Sequence, residues 1–337
     1  MNILITGAAG FIGAHTALRL LKDGHQVTGL DNFNAHYDPQ LKQDRVRWVA
    51  EQVGQFPLRQ LDLNDAPALG RLFAEVRPQV VIHLATQPGG RCTQANAHGQ
   101  PDCSQAGLQP ILAPCQRHTV EHLIYAAPES HCTCKAGSAL QVDSDGRLQG
   151  IPSTALRFLT VYGPWGRPDM APHLFARAIC EELPLKLFNH GLHQRDFSYI
   201  DDVVHSLVRL LHKPPSGHTQ LQDESPAWLD STLPRRLFNI GGQRLVQLKD
   251  YVATLEQLLG RKARFEYLSL PGNDLPPGPE PISALENLTG FGPQTPLAQG
   301  LGHFVEWFHA YYRPGCVPPA PALELSGQSP QPQGREY

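Results

Sequence analysis

The chain has 337 residues, enough for one large domain or two fused ones around a sizeable core. Its composition, 41% hydrophobic and 18% charged, suits a globular protein, and a net charge of -3 gives no electrostatic reason to expect nucleic acid or an anionic membrane as partner. No apolar run reaches the roughly 20 residues needed to span a bilayer, and seven cysteines at irregular spacings suggest reduced thiols in a cytoplasm.

The opening MNILITGAAG has no basic leader and goes straight into a strand, so a signal peptide is not expected. Residues 2–6 (NILIT) predict a buried strand that ends in glycines. Residues 14–22 (AHTALRLLK) carry apolar side chains at helical spacing, and Asp23-Gly24 closes that helix. Further buried strands are expected at Gln26 to Leu30, Val80 to Leu84, Leu123 to Ala126 and Ala155 to Val161. Strands alternating with helices point to βαβ units, that is, an α/β Rossmann fold with a doubly wound parallel sheet. Beyond about residue 165 the pattern is mixed, with LFNIGG at 237–242 and a helix at 248–259. A smaller C-terminal α+β substrate subdomain is expected there. Residues 1–160 are read as the nucleotide-binding domain, altered at 92–153, and 161–313 as the subdomain, interleaved with the last strands of the sheet. Residues 314–337, rich in Pro, Gly, Ser and Gln, are read as a disordered tail.

Two stretches break the pattern. Residues 99–116 should hold the helix before the 123–126 strand but contain Pro110 and Pro114, and an interior proline costs a helix about 3 kcal/mol. Residues 127–153 have little amphipathic pattern, and 139–149 (ALQVDSDGRLQ) resembles a hairpin around Asp145-Gly146.

The clearest chemical signal is TGAAGFIG. It puts Gly7, Gly10 and Gly13 directly after the first strand and at the mouth of a helix. Gly7 permits the tight turn, Gly10 lets the backbone approach a pyrophosphate, and Gly13 allows close helix–strand packing. The helix start then offers free N–H groups and a partial positive charge to phosphates. Asp31 ends the second strand, 18 residues after Gly13. A carboxylate there accepts from a ribose hydroxyl pair and repels a 2′-phosphate, which favours NAD over NADP. Asp62-Leu63 is a candidate flank for the adenine, or an ordinary turn.

The G-x-x-G-x-x-G spacing resembles the extended short-chain dehydrogenase/reductase family. Further segments are similar to its UDP-glucuronate 4-epimerase branch: RPQVVIHLATQPGGR (77–91), HLIYA (122–126), LRFLTVYGPWGRPDMA (156–171), RDFSYIDDV (195–203), FNIGG (238–242) and GFGPQTPLAQGLGHFVEWFHAYY (290–312). The resemblance implies a Rossmann domain holding NAD and a subdomain holding a UDP-sugar, UDP-glucuronate or UDP-galacturonate, whose C4 is inverted. It implies NAD contacts for Gly7, Phe11, Ile12, Asp31, Asn32, Asp62, Leu63, Leu84 and Ala85. It also implies sugar or carboxylate contacts for Arg91, Thr160 and Arg167, and a nucleotide contact for Arg195. An arginine fork suits a uronate carboxylate or a phosphate; the alternative for each arginine is a surface ion pair, and that alternative is weaker for Arg167, beside its Gly-Pro-Trp-Gly loop, than for Arg91 and Arg195.

The family's proton shuttle is a tyrosine with a lysine four residues on, helped by a Ser or Thr at the end of the preceding strand. Here no tyrosine has lysine four positions later. The preferred alignment puts Pro128 at the Ser/Thr position, with Ser130 two residues too far along, and Gln100 and Ser104 in place of a family tyrosine and asparagine. Between Ala126 and Ala155 the family carries a much longer segment. No catalytic residue is therefore assigned. Tyr125 is read as core. Tyr162, at the end of a strand near the site, is read as able to reach a sugar, with Lys135 beside it only by chance. His131, Cys132 and Cys134 fall short of the ligand set of a zinc site, so no metal is expected. The missing segment also implies an under-covered sheet face, a weakened homodimer and a marginal fold. Three readings follow: a family member with crippled catalysis, an active 4-epimerase with a displaced base, or a module that senses NAD(H) or a nucleotide sugar.

Overall fold

The computed structural model describes residues 1–85, 105–127, 150–216, 235–241, 245–268 and 283–312. Seven parallel strands form the central sheet in the order β10-β6-β5-β4-β1-β2-β3. They are β1 (Asn2–Thr6), β2 (Gln26–Asp31), β3 (Leu58–Gln60), β4 (Val80–His83), β5 (His122–Ala127), β6 (Ser153–Phe158) and β10 (Arg235–Ile240). The strand order reverses between β1 and β4. The carboxyl ends of these strands therefore open the crevice where doubly wound sheets take their ligands.

Alternation along β1 shows how the layers are built. Ile3 and Ile5 join the core beneath helix α1 (Phe11–Lys22), while Leu4 faces the opposite layer with Val81 and Leu123. That second layer is closed by Leu69, Leu72 and Phe73 of helix α3 (Ala66–Val76) and by helix α4 (Gln105–Arg117). The helix expected before β5 thus forms despite its two prolines. Leu108, Ile111, Leu112 and Cys115 are buried at helical spacing, and that burial outweighs two lost backbone donors.

The apolar run at 155–161 is not one strand. It divides into β6 and β7 (Thr160–Tyr162), which belong to different sheets. The Leu159 N–H makes a backbone bond to Ile240 O at 3.2 Å, after which the chain turns to pair Thr160 with Phe197 of β9 (Gln194–Tyr199). Both segments are apolar, so the change of sheet leaves no mark in the residue pattern. The smaller sheet β11-β9-β7 and the parallel pair β12-β8 are built from residues beyond Leu159, with β11 at Leu245–Gln247, β8 at Pro184–Phe188 and β12 at Arg264–Leu268. The helix Leu248–Leu259 matches its expected bounds.

Leu123 and Ile124 of β5 and Leu156 of β6 are fully buried, so no bare sheet face appears at these positions. The expected hairpin at 139–149 and the tail at 314–337 lie outside the described residues. So do Arg91, Gln100, Ser104, Pro128, Ser130, His131, Cys132, Cys134 and Lys135. Among the described residues no helix is long and apolar enough to cross a membrane.

Candidate functional site

The glycine turn between β1 and α1 has almost no spare volume. A Cβ on Gly7, whose φ is 71°, would meet Ala85 N at 2.7 Å and the Leu84 carbonyl carbon at 2.8 Å. A Cβ on Gly13 would collide with Gly7 O, and one on Gly10 would lie 2.9 Å from the same atom. The three glycines thus let the turn fold onto itself and onto the end of β4. Gly10 caps α1 with no side chain, which leaves the first-turn N–H groups at Phe11 and Ile12 for a ligand. Thr6 fixes the far wall of the turn. Its Oγ1 accepts from Ala85 N–H at 3.3 Å and lies 2.7 Å from His83 Nδ1. Burial lowers the His83 pKa to about 4, so the ring is neutral and can accept from the hydroxyl.

Asp31 is 6% exposed at the end of β2. Its Oδ2 accepts from Ala9 N–H at 3.1 Å and its Oδ1 from Phe33 N–H at 2.8 Å, so the carboxylate anchors the glycine turn. Lys42, 5% exposed on helix α2 (Pro39–Val53), brings Nζ to 3.7 Å from Asp31 Oδ1 and donates to Asn34 Oδ1 at 2.8 Å. Burial lowers the Lys42 pKa and the neighbouring Asp31 charge partly restores it. Asn32 donates to Asp62 Oδ2 at 3.0 Å, and this bond, with the Asn64 backbone bond, holds the Asp62 carboxyl below its usual range. Leu63 packs on the core beside Asp62, and Leu84 packs at the foot of the turn. The expected cofactor residues are therefore brought together at the carboxyl ends of β1 to β4, and the cradle offers the close backbone approach and free N–H groups that suit a dinucleotide.

The loop Gly163–Asp169 carries Arg167, an expected sugar contact. Arg167 donates to Asp169 through Nε at 3.0 Å and Nη2 at 2.5 Å, and His36 Nε2 lies 3.2 Å from the same carboxylate. Burial works against the Asp169 charge, yet the Arg167 fork and His36 hold its pKa below the usual carboxylate range. Trp165 has a left-handed φ of 63°, and its ring contacts Trp48, Trp307 and Tyr311. Thr160 lies on β7 in register with Phe197, and Arg195 is exposed on β9.

One expectation needs correction. Tyr162 does not face a ligand: it is 2% exposed, its ring edge-on to Phe197, Tyr199 and Tyr251, and burial raises its pKa. Its position beside the site in sequence hides the fact that β7 turns this side chain into the core. The sequence reading also missed Lys42, Arg45, His15, His36 and Asp169. A signal existed for Arg45, which sits between Leu41 and Val49 on one helical stripe.

A parallel doubly wound sheet, a three-glycine turn and a carboxylate closing the second strand define a dinucleotide-binding Rossmann protein. The model of the NAD dependent epimerase/dehydratase family matches residues 3–133 and 128–222. The chain is 35% identical over 336 residues to Protein CapI of Staphylococcus aureus, spanning 93% of this chain and 100% of that protein. It is 36% identical over 336 residues to a probable UDP-glucuronate 4-epimerase of Rhizobium meliloti (strain 1021), spanning 93% and 98%. The crystal structure of the Bacillus cereus UDP-glucuronic acid 4-epimerase with UDP-glucuronic acid and NAD superposes with a TM-score of 0.74 at 27% identity, covering 93% of this chain and 100% of that one. The chain belongs to the NAD dependent epimerase/dehydratase family, and within it is UDP-glucuronate 4-epimerase-like.

Proposed function

We propose that this protein holds NAD in the Gly7–Gly13 cradle, binds UDP-glucuronate or UDP-galacturonate against the Gly163–Asp169 loop, and has lost most or all 4-epimerase turnover. The observation that carries the reading is the absence of any tyrosine with lysine four residues on, beside an intact cradle. Bound NAD supplies a hydride acceptor that can return the hydride to the other face of C4. The chain's own task is to take the C4 hydroxyl proton as the hydride leaves, and that needs a base of suitable pKa within hydrogen-bond reach. Tyr162 is sealed in the core, Tyr37 hydrogen-bonds to Arg45, and Tyr199 hydrogen-bonds to His303, so none of these three supplies an evident substitute. Removing a group that works as part of a unit costs most of the rate, whatever else remains. The family match also falls into two pieces that overlap at 128–133, where the sequence departs from the family pattern.

In this reading Gly7, Gly10, Phe11, Ile12 and Gly13 hold the pyrophosphate. Asp31 and Asn32 take the ribose, with Asp62, Leu63, Leu84 and Ala85 around the rest of the cofactor. Arg91, Thr160 and Arg167 meet the sugar, and Arg195 the nucleotide. The protein works in the cytoplasm with reduced thiols and forms at most a weakened homodimer, which sedimentation velocity across a range of concentrations checks. The decisive experiment incubates purified protein with UDP-glucuronate and NAD+ and follows the anomeric protons by NMR. Ligand line-broadening without UDP-galacturonate is expected. Steady production of UDP-galacturonate would overturn the loss of turnover and leave the binding assignment standing.

A further inference from the structure

Three consecutive carbonyls in the loop that carries Arg167 are held by side chains from the two helices framing the glycine turn. His15 Nε2, on α1, lies 3.0 Å from Pro164 O. Arg45, on α2, donates from Nε to Trp165 O at 2.9 Å and from Nη2 to Gly166 O at 3.2 Å. The same guanidinium reaches into the glycine turn, where Nη1 donates to Ala9 O at 3.2 Å and to the Tyr37 hydroxyl at 2.6 Å.

Arg45 is 0% exposed, and its partners are three backbone carbonyls and a phenol. Burying a guanidinium is costly, and an apolar residue such as its stripe neighbours Leu41 and Val49 would fill ordinary core space more cheaply. What the charge adds is a planar fork able to grip two loops at once. The gripped loop needs restraint, because Trp165 holds a left-handed backbone conformation that bulky residues disfavour and that tends to occur at ligand sites. Burial keeps the His15 ring neutral, with a pKa of about 4, and since the Pro164 carbonyl can only accept, their contact fixes the tautomer that carries the proton on Nε2.

We propose that Arg45 and His15 are positioning residues that clamp the Gly163–Asp169 loop to the cofactor cradle, so that Arg167 is presented to a sugar carboxylate at a fixed place relative to the cofactor. Both act through the loop. The proposal rests on the UDP-uronate reading above.

The test is calorimetric titration of NAD-loaded protein with UDP-glucuronate and with UDP-glucose, which differ at the carboxylate. Wild type is expected to prefer UDP-glucuronate by about tenfold, in keeping with one added charge-assisted contact. Arg45→Lys, which keeps the charge and loses the fork, and His15→Leu, which loses the donor and keeps apolar bulk, should each erase most of that preference while UDP-glucose affinity stays within about twofold. If Arg45→Lys fails to fold, His15→Leu decides. An unchanged preference in the folded variants overturns the clamp, as does equal weakening of both ligands, which would mark a general structural role. Wild type binding neither ligand overturns the UDP-sugar reading itself, and binding both equally overturns the role of Arg167.

Discussion

At position 13 one methyl group decides whether the cradle can close. The Cβ of alanine would run into Gly7 O, a backbone atom that cannot swing aside. Gly13→Ala should therefore lower NAD affinity by about tenfold or more, read by titration calorimetry, and unchanged affinity would show that the turn is softer than its geometry. Asp31 poses a different question, because its carboxylate both anchors Ala9 and faces Lys42. Asp31→Ala removes the group that repels a 2′-phosphate and leaves a buried cation in place. The preference for NAD over NADP should fall by about tenfold, and adding Lys42→Met should weaken NADP again. An NAD preference that survives Asp31→Ala would mean that another group sets it.

Among the elements, α4 folds against its local preference. Pro110 and Pro114 each remove a backbone donor, and the helix persists because its apolar stripe seals the second core layer. Pro110→Ala restores a donor at a partly buried site and should stabilise the protein by about 1 kcal/mol or more in urea denaturation. A loss of stability would mean that the proline restricts the unfolded chain more than it strains the helix. Helix α2 and the C-terminal helix Leu297–Tyr312 are joined by the Tyr311 hydroxyl, which donates to Asp44 Oδ2 at 2.5 Å, beside the Trp165–Trp307 contact. Tyr311→Phe leaves the ring and removes that charge-assisted bond, so a loss of about 1–2 kcal/mol is expected in the same assay.

For the whole molecule, acid is the expected weakness. His15, His83, His122 and His173 are all buried, and burial lowers each pKa from 6.5 to about 4. Between those two pH values the unfolded chain binds more protons than the folded one. Stability is therefore full above pH 6.5 and falls as pH drops towards 4. The lowered carboxyls of Asp62, Asp169 and Glu256 act in the same direction at lower pH, while the raised Asp201 opposes them. The urea midpoint should be clearly lower at pH 5 than at pH 7, and a flat profile would mean that these rings are solvated or paired in the folded state.

The residue pattern alone was enough for the parallel sheet, the glycine cradle with Asp31, and the absence of any tyrosine with lysine four residues on. Each is written in neighbouring residues, as a period of two or 3.6, a fixed spacing or a missing spacing. The tertiary structure was needed to show that β6 and β7 part company at Leu159, that Tyr162 turns inward, and that α4 survives its prolines. It alone joined Arg45 to Trp165 and His15 to Pro164, partners 120 and 149 positions apart in the chain. Such contacts depend on how helices and loops pack against one another in space, and that packing leaves no local period in the residue pattern.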